Sequence, residues 1–353
     1  MNPNAVSERH PDLYFPDGDV ILAVKQTPHS GAVEPPKYTL FRVHKFLLKH
    51  HSTTFANFFA DANVAPAEVY DGVPLAEMFG DRAEDFAVLL DYLYNPTSLV
   101  FKRNDPNIPL TVSGVIRLSD KYLIEPLRRR LVQEVCAAWP TTLVEYDIKQ
   151  AEIDSLRALP LNAPLKYRGR LADVIPEPAS AILFAQEFDC PQILPAAFYT
   201  LSLIPITHDW DAKPRECHEP LAKWSLLDNE NLVRYIHGFQ SLNKYRPHPI
   251  QFLCEHCDVS WNMDGPAEPV NNSSYDYIKR LLDVVWDGAG PSVTHSDPIR
   301  LLAKCFNYYD MPELSEKHFP DGLCEGCDRL LSRRLPEERK RLWENLGEWF
   351  KVK

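Results

Sequence analysis

Long apolar runs are missing from this sequence of 353 residues. None approaches the roughly 20 residues that a membrane-spanning helix needs, and the first residues lack the apolar core of a secretory signal. We therefore expect an intracellular protein of the cytoplasm or nucleus, without a signal peptide or a transmembrane segment. In that reducing environment its eight cysteines are expected to be thiols or metal ligands rather than disulfides.

Acidic residues outnumber basic ones, 49 to 38, which gives a formal net charge of -11 at pH 7. The main basic stretch, "RRLPEERKRLW" at residues 333–343, mixes arginine and lysine with glutamate at helical spacing. That pattern is typical of a solvated helix face. Because a nucleic acid or an anionic membrane attracts clustered positive charge, we expect neither as a partner.

The motifs of common enzyme classes are absent from the sequence. It contains no nucleophile elbow, no P-loop, no HExxH pair and no dinucleotide fingerprint. The segment "DGAGPS" at residues 287–292 imitates a phosphate loop, but with only 13 glycines in the chain we interpret it as a turn. A non-enzymatic protein is therefore expected.

We find no repeat period in the sequence. Its 31 prolines divide the chain into short elements.

Strand signals are concentrated in the first hundred residues. Residues 19–24, 39–43 and 72–79 are rich in β-branched, aromatic and other apolar residues, which favours partly buried strands. The short run 97–101 is predicted to be a fourth strand. Helix-like patterns dominate the rest of the chain, so the expected fold class is α+β.

Two helix starts in this region carry specific signals. Ser52 is predicted to cap a helix whose buried stripe contains Phe55, Phe58, Phe59 and Ala62, at a spacing of three and four residues. Asp81 and Glu84 have the spacing of a capping box ahead of a second stripe, which consists of Phe86, Leu89, Leu90 and Leu93. Residues 111–124 and 125–139 are predicted to form two further helices, the second with Pro126 in its first turn.

Four short motifs follow one another in a familiar order. They are Asp19-Val20, Phe41 with His44-Lys45, Ser52 with Phe55, and Asp120-Lys121-Tyr122. Together they resemble a BTB/POZ domain over residues 12–138, which implies a small sheet with a helical cluster that self-associates or binds a protein partner.

The resemblance implies two roles, an adaptor of a cullin-type ubiquitin ligase or a non-enzymatic scaffold. Only eleven residues precede Asp12, too few for the helix and strand that many such domains exchange in dimers. No glutamate lies between Phe86 and Ile124, where such adaptors commonly carry one. We therefore expect an interaction domain rather than a ligase adaptor. His44 and Lys45 are interpreted as structural. The resemblance places Asp19 at a charged pocket of the dimer face, whereas capping or ion pairing is expected from its position.

The second half, residues 140–353, is predicted to be a mostly α-helical domain. Amphipathic patterns cover residues 179–202, 226–242, 275–288 and 297–311. This half is similar to the carboxy-terminal region of the large BTB families of mushroom-forming fungi, a resemblance that implies no activity of its own.

Two Cys-x-x-Cys pairs are the sharpest chemical signal: Cys254 with Cys257, and Cys324 with Cys327. Two such pairs complete a tetrahedral shell of four sulfurs, and soft thiolates favour zinc. However, 66 residues (258–323) separate the pairs, whereas compact zinc ribbons have about 15–20, so a helical insert must bring them together.

We predict one structural zinc shared by both pairs, with no catalytic residue. Free thiols and redox-active pairs remain alternatives, and a metal- or thiol-dependent enzyme built around the pairs is the alternative function. Cys217, His218 and His256 are substitute ligands if one cysteine does not reach the ion.

Overall fold

The computed structural model confirms an α+β chain in which helices predominate. Among the described residues, no helix is long and apolar enough to cross a membrane. Two compact units are formed, one by residues 1–138 with 173–176 and the other by residues 139–172 with 177–353. The described residues are 6–27, 36–61, 68–97, 99–102, 104–158, 172, 175–212, 219–257, 273–287, 297–309 and 322–352.

One five-stranded sheet is present in the described part of the first unit. The central strand β2 pairs with β3 in the antiparallel direction and with β5 in the parallel direction, while β1 lies parallel to β3 and β4 antiparallel to β5. The order is therefore β1-β3-β2-β5-β4. The strands are β1 (Val6–Tyr14), β2 (Val20–Lys25), β3 (Lys37–Val43), β4 (Glu68–Tyr70) and β5 (Val73–Met78).

The strand predictions for 19–24, 39–43 and 72–79 are confirmed by β2, β3 and β5. The strand predicted at 97–101 is wrong, since residues 99–101 have no regular structure and Val100 is 82% exposed. In place of a neighbouring strand, the Arg130 guanidinium donates hydrogen bonds to the carbonyls of Pro96 and Leu99.

Two of the observed strands, β1 and β4, were not predicted from the sequence. β1 is mostly exposed and contains Pro11, near which its register with β3 shifts. The Tyr14 hydroxyl of β1 donates to Asp71 at 2.7 Å. Because this contact joins distant parts of the sequence, no local pattern predicts it. The sequence did contain a signal for β4, the dipeptide Asp71-Gly72, which favours a two-residue hairpin turn. The φ values of these residues, 52° and 73°, are those that such a turn requires.

Five helices accompany the sheet in the described part of the first unit, and the cap predicted at Ser52 is confirmed. The Ser52 hydroxyl accepts the Phe55 amide at 3.0 Å and donates to the Tyr122 carbonyl. These helices are α1 (Lys45–His51), α2 (Thr53–Asp61), α3 (Ala83–Tyr94), α4 (Ile108–Lys121) and α5 (Glu125–Ala137).

Two predictions about helix faces need correction. Phe58 is 41% exposed, whereas Phe55 and Phe59 are only 1% and 9% exposed, so the buried stripe of α2 is the i, i+4 pair. Ala62 lies outside the described residues. Asp81 does not cap α3: Arg82 occupies the N-cap position without a side-chain bond, and the Asp81 carboxylate binds Lys121 and Tyr122 instead.

The described part of the second unit contains seven α-helices. One of them, α6, was not predicted, although Thr142 and Glu145 form a reciprocal capping box at its start. The predicted stretch 179–202 divides into α7 and α8 around a 3-10 turn that begins at Pro191. The helices are α6 (Leu143–Arg157), α7 (Pro178–Glu187), α8 (Leu194–Ser202), α9 (Asn229–Lys244), α10 (Ser273–Asp287), α11 (Pro298–Tyr309) and α12 (Glu325–Trp349).

A buried polar cluster ties α8 to the start of α11. Asp297 caps α11 by accepting the Arg300 amide at 2.9 Å, and it accepts the Tyr199 hydroxyl at 2.5 Å. Both Asp297 and Tyr199 are buried. The Arg300 guanidinium in turn binds both carboxylate oxygens of Asp154 in α6, at 2.9 and 3.0 Å. Buried polar groups of this kind are tolerated because they are paired.

Candidate metal centre

The four predicted cysteines meet in the second unit. Their sulfur atoms all lie within 4.8 Å of one another. Cys257 Sγ lies 3.3 Å from Cys327 Sγ and 3.6 Å from Cys254 Sγ. Cys324 Sγ lies 3.7 Å from the sulfurs of both Cys254 and Cys257. The structure therefore brings together both pairs that the sequence singled out.

The first pair is carried by a turn that follows a 3-10 helix at Pro249–Phe252. The Cys257 amide donates to the Cys254 carbonyl at 3.1 Å, which closes the turn and directs both sulfurs to one side. The Cys254 amide also donates to Cys327 Sγ at 3.2 Å. The backbone of the turn thus helps to bind a sulfur of the other pair.

The second pair occupies the start of α12. Cys324 is the N-cap residue, and its sulfur accepts the Cys327 amide at 3.4 Å. Its own amide donates at 3.1 Å to the hydroxyl of Ser274, a buried residue at the start of α10. Amides at a helix N-terminus stabilise negative charge, so this position suits a thiolate.

The segment between the pairs is partly helical, as the sequence spacing required. It contains α10 and α11; α11 packs on α12, and α10 packs on both α11 and the 3-10 helix before Cys254. A further bond ties α11 to the first turn of α12, since the Tyr309 hydroxyl donates to Asp328 at 2.5 Å. Helix packing thereby offsets the long separation along the chain.

The sulfur spacing fits one tetrahedral metal ion. Zinc bound by four sulfurs at about 2.3 Å spaces those sulfurs about 3.8 Å apart. Four of the six sulfur separations are 3.3 to 3.7 Å, close to that value, and the other two are within 4.8 Å. A disulfide would need sulfurs about 2.05 Å apart, so these are thiols. The cluster is compatible with zinc.

Burial and hydrogen bonding shift the pKa values of three of these thiols in different directions. Burial raises the pKa of Cys327 and of Cys257. The backbone amide of Cys327 lowers the pKa of Cys324 to about 6. Thiols packed this closely repel one another when ionised, and a divalent cation removes that repulsion. The donor set therefore suits a cation with a preference for sulfur.

The four cysteines form the cluster without any of the three substitute ligands that the sequence suggested. Cys217 and His218 lie outside the described residues. Residues 288–292, most of the turn predicted at 287–292, also lie outside them. His256 lies on the turn between Cys254 and Cys257, where it is exposed, and it does not belong to the cluster of ligand atoms.

His44 and Asp19, the other residues with a predicted structural role, do stabilise the backbone of the first unit. Asp19 accepts the Lys45 amide at 2.7 Å and so caps α1. The Tyr94 hydroxyl lies 2.9 Å from both the backbone nitrogen and the ring Nδ1 of His44. These contacts give His44 and Asp19 the structural roles expected from their positions.

The Asp120-Lys121-Tyr122 motif is also used structurally. Asp120 pairs with Arg128 at 2.7 Å. Lys121 donates to the buried carboxylate of Asp81 at 2.7 Å. The Tyr122 ring stacks on Phe55 with a centroid distance of 4.3 Å, a contact that joins α2 to the end of α4.

No family model matches the chain, and no curated protein matches it significantly. The BTB/POZ resemblance therefore depends on the motif residues alone.

Proposed function

We propose that this protein is a non-enzymatic protein–protein interaction module. Its amino-terminal half acts as a BTB/POZ-like domain that binds a second copy of the chain or another protein. Its helical half is a scaffold that recruits a further partner and is stabilised by a structural zinc ion. Two strongly exposed phenylalanines of the first unit, Phe46 and Phe79, carry this proposal.

Phe46 and Phe79 are the leading contact residues, since they are 78% and 76% exposed. Phe46 projects from α1 and stacks on His50, and Phe79 follows β5 directly. Single exposed apolar residues are common on protein surfaces. Phenylalanines exposed to this degree, however, are favoured where a partner removes them from water, because aromatic residues are enriched at interfaces.

The motif residues support a scaffold rather than an active site. His44 and Lys45 stand at the start of a capped helix, while Asp81, Lys121 and Tyr122 form a hydrogen-bonded group. The side chains of His44, Asp81, Lys121 and Tyr122 each have a hydrogen-bond partner that explains their positions. A catalytic group would instead face a cleft in which a substrate can reach it.

The four-sulfur shell supports a structural ion rather than the alternative enzyme. A catalytic zinc keeps one coordination position open for water or substrate, whereas Cys254, Cys257, Cys324 and Cys327 would occupy all four positions of a bound ion. When bound, the ion would hold the turn after the 3-10 helix against the start of α12. A cullin-type adaptor role is not proposed, because the sequence lacks the glutamate that such adaptors carry.

The test compares association before and after charge is placed on the exposed aromatic residues. We expect the full chain to self-associate at micromolar concentration in light scattering, and Phe46→Glu or Phe79→Glu to weaken that association. Ile148→Glu is the matched control, since Ile148 is an exposed apolar residue of the second unit. If the chain binds another protein instead, affinity purification with mass spectrometry should show that partner lost from the two phenylalanine variants alone. A monomer whose co-purifying proteins do not change would overturn the proposal.

A further inference from the structure

We infer that the four-cysteine site is a peroxide-responsive zinc site, in which a disulfide from Cys324 to Cys254 or Cys257 replaces the released metal. This inference rests on the structural zinc proposed above and adds a form of regulation to it. Three observations carry it: the unequal exposure of the sulfurs, their spacing, and their division between two segments of the chain.

The cysteines are not equally accessible. Cys327 is fully buried and Cys254 and Cys257 are partly buried, whereas Cys324 is exposed. A small oxidant such as hydrogen peroxide therefore reaches Cys324 first. Exposed thiolates beside a second thiol are the ones that oxidise reversibly, and the remaining cysteines of the cluster provide that second thiol.

Two resolving sulfurs lie next to Cys324. Cys254 Sγ and Cys257 Sγ are each 3.7 Å from Cys324 Sγ, so either must approach by about 1.7 Å to form a disulfide. Both belong to the turn whose other residues, Glu255 and His256, are exposed. The turn can therefore approach α12 without moving a buried side chain of its own.

The reaction balances with hydrogen peroxide as the oxidant. The Cys324 thiolate attacks one peroxide oxygen, the O–O bond breaks, and the departing hydroxide takes a proton to become water. Cys324 is then a sulfenic acid. The thiolate of Cys254 or Cys257 attacks its sulfur, the S–OH bond breaks, and the second hydroxide also becomes water. Two thiolates, one peroxide and two protons yield one disulfide and two waters, and zinc loses two of its four ligands.

The disulfide would join the same two segments that the metal joins. The turn at Cys254 would stay attached to the start of α12, so the helical unit keeps one cross-link while its zinc leaves. A dithiol reductant reverses the change by thiol–disulfide exchange, which returns two thiolates to the site and oxidises the reductant. The oxidised form is therefore a second folded state.

The test uses the full chain loaded with zinc and measures metal before and after peroxide. Zinc in the reduced protein is quantified first, then its release is followed with a chromogenic chelator. Trypsin places Cys254 and Cys257 in the peptide 245–279, and Cys324 and Cys327 in the peptide 318–329. A disulfide between the segments therefore links these two peptides, whereas one within a pair leaves them separate.

We expect zinc release together with the linked peptides, and rebinding of zinc after a dithiol is added. Zinc release with disulfides confined to each pair, or retention of zinc under peroxide, would overturn the inference while leaving the structural zinc intact. A reduced protein that binds no zinc would overturn both.

Two variants refine the test. Cys324→Ser should bind zinc more weakly and form no disulfide between the two peptides. Cys136→Ser, a change in α5 of the first unit, should respond to peroxide as the unmodified chain does. Fragmentation of the linked peptides from the unmodified chain assigns the bond to Cys324 or to Cys327, so the test stands even if Cys324→Ser does not fold. A bond to Cys327, whose sulfur lies 3.3 Å from that of Cys257, would overturn the inference.

Discussion

Gly326 lies directly against Cys254 at the metal site. A Cβ atom placed on Gly326 would lie 2.9 Å from Cys254 Sγ and 3.1 Å from Cys254 Cβ. Such distances are too short for unstrained contact, so the first turn of α12 needs a glycine for the turn of the other pair to approach. The glycine between Cys324 and Cys327 therefore serves the sulfur geometry.

Gly326→Ala should weaken metal binding although alanine is a better helix former by about 1 kcal/mol. The added methyl group should push the Cys254 sulfur away from the sulfurs of Cys257 and Cys324. Titration with zinc or cobalt measures the affinity. Glu325→Ala is the matched control, because Glu325 is an exposed residue of the same turn and its substitution should leave the affinity unchanged.

Removal of the metal should destabilise the helical unit selectively. Structural zinc contributes apparent binding free energies on the order of 10–16 kcal/mol in small peptides, which is as large as the whole stability of a typical domain. Cys327→Ser, or a strong chelator, should therefore lower the melting temperature of the second unit and leave the first unit folded. Calorimetry with limited proteolysis measures this. Cys136→Ser should not reproduce the effect, and equal melting of both variants would argue against a shared ion.

The two neighbouring phenylalanines of α2 should respond very differently to a charge. Phe59→Asp should unfold the first unit, because a carboxylate at a buried position loses its hydration without gaining a partner. Phe58→Asp should be tolerated, since Phe58 is largely exposed. Chemical denaturation measures both free energies of unfolding. Similar losses for the two variants would contradict the helix orientation described above.

The first unit should fold by itself, and it should need β1 to do so fully. The fragment 6–138 should unfold in one cooperative transition. The fragment 12–138, whose boundary follows the sequence motifs, should be less stable because it lacks the pairing of Val6–Arg9 with Lys37–Leu40. Denaturant titration of the two fragments compares them. Equal stability would mean that β1 contributes nothing to the sheet.

Buried Asp297 should make the stability of the second unit depend on pH. Burial raises the pKa of Asp297, so the folded unit holds that proton more tightly than the unfolded chain does. As pH rises from the ordinary carboxyl pKa through the raised one, the folded state loses stability. Asp297→Asn keeps an oxygen acceptor for Tyr199 and Arg300 without a charge. Its stability relative to the unmodified unit should therefore improve as pH rises, and urea titrations at several pH values measure the difference.

Local chemistry in the sequence determined the elements that the predictions described correctly. The β-branched and aromatic runs of β2, β3 and β5 favour extended backbone, and Ser52 offers an oxygen to an amide three residues later. The Cys-x-x-Cys spacing likewise specified that the two sulfurs within each pair can bind one metal. Each of these properties depends on residues within one turn or one strand, so the sequence states it directly.

Tertiary structure decided whatever depends on a distant partner. β1 is mostly exposed and exists through its pairing with β3. The predicted strand at 97–101 fails where the distant Arg130 binds the carbonyls of Pro96 and Leu99 instead. Phe58 and Phe59 are equally apolar, but Phe59 stacks on the buried Phe55 whereas Phe58 is largely exposed, a difference that depends on tertiary packing. The cysteine pairs meet because α10 and α11 pack against the elements that carry the sulfurs. Spacing along the chain cannot state that, since the approach of two segments depends on the packing free energy of everything between them.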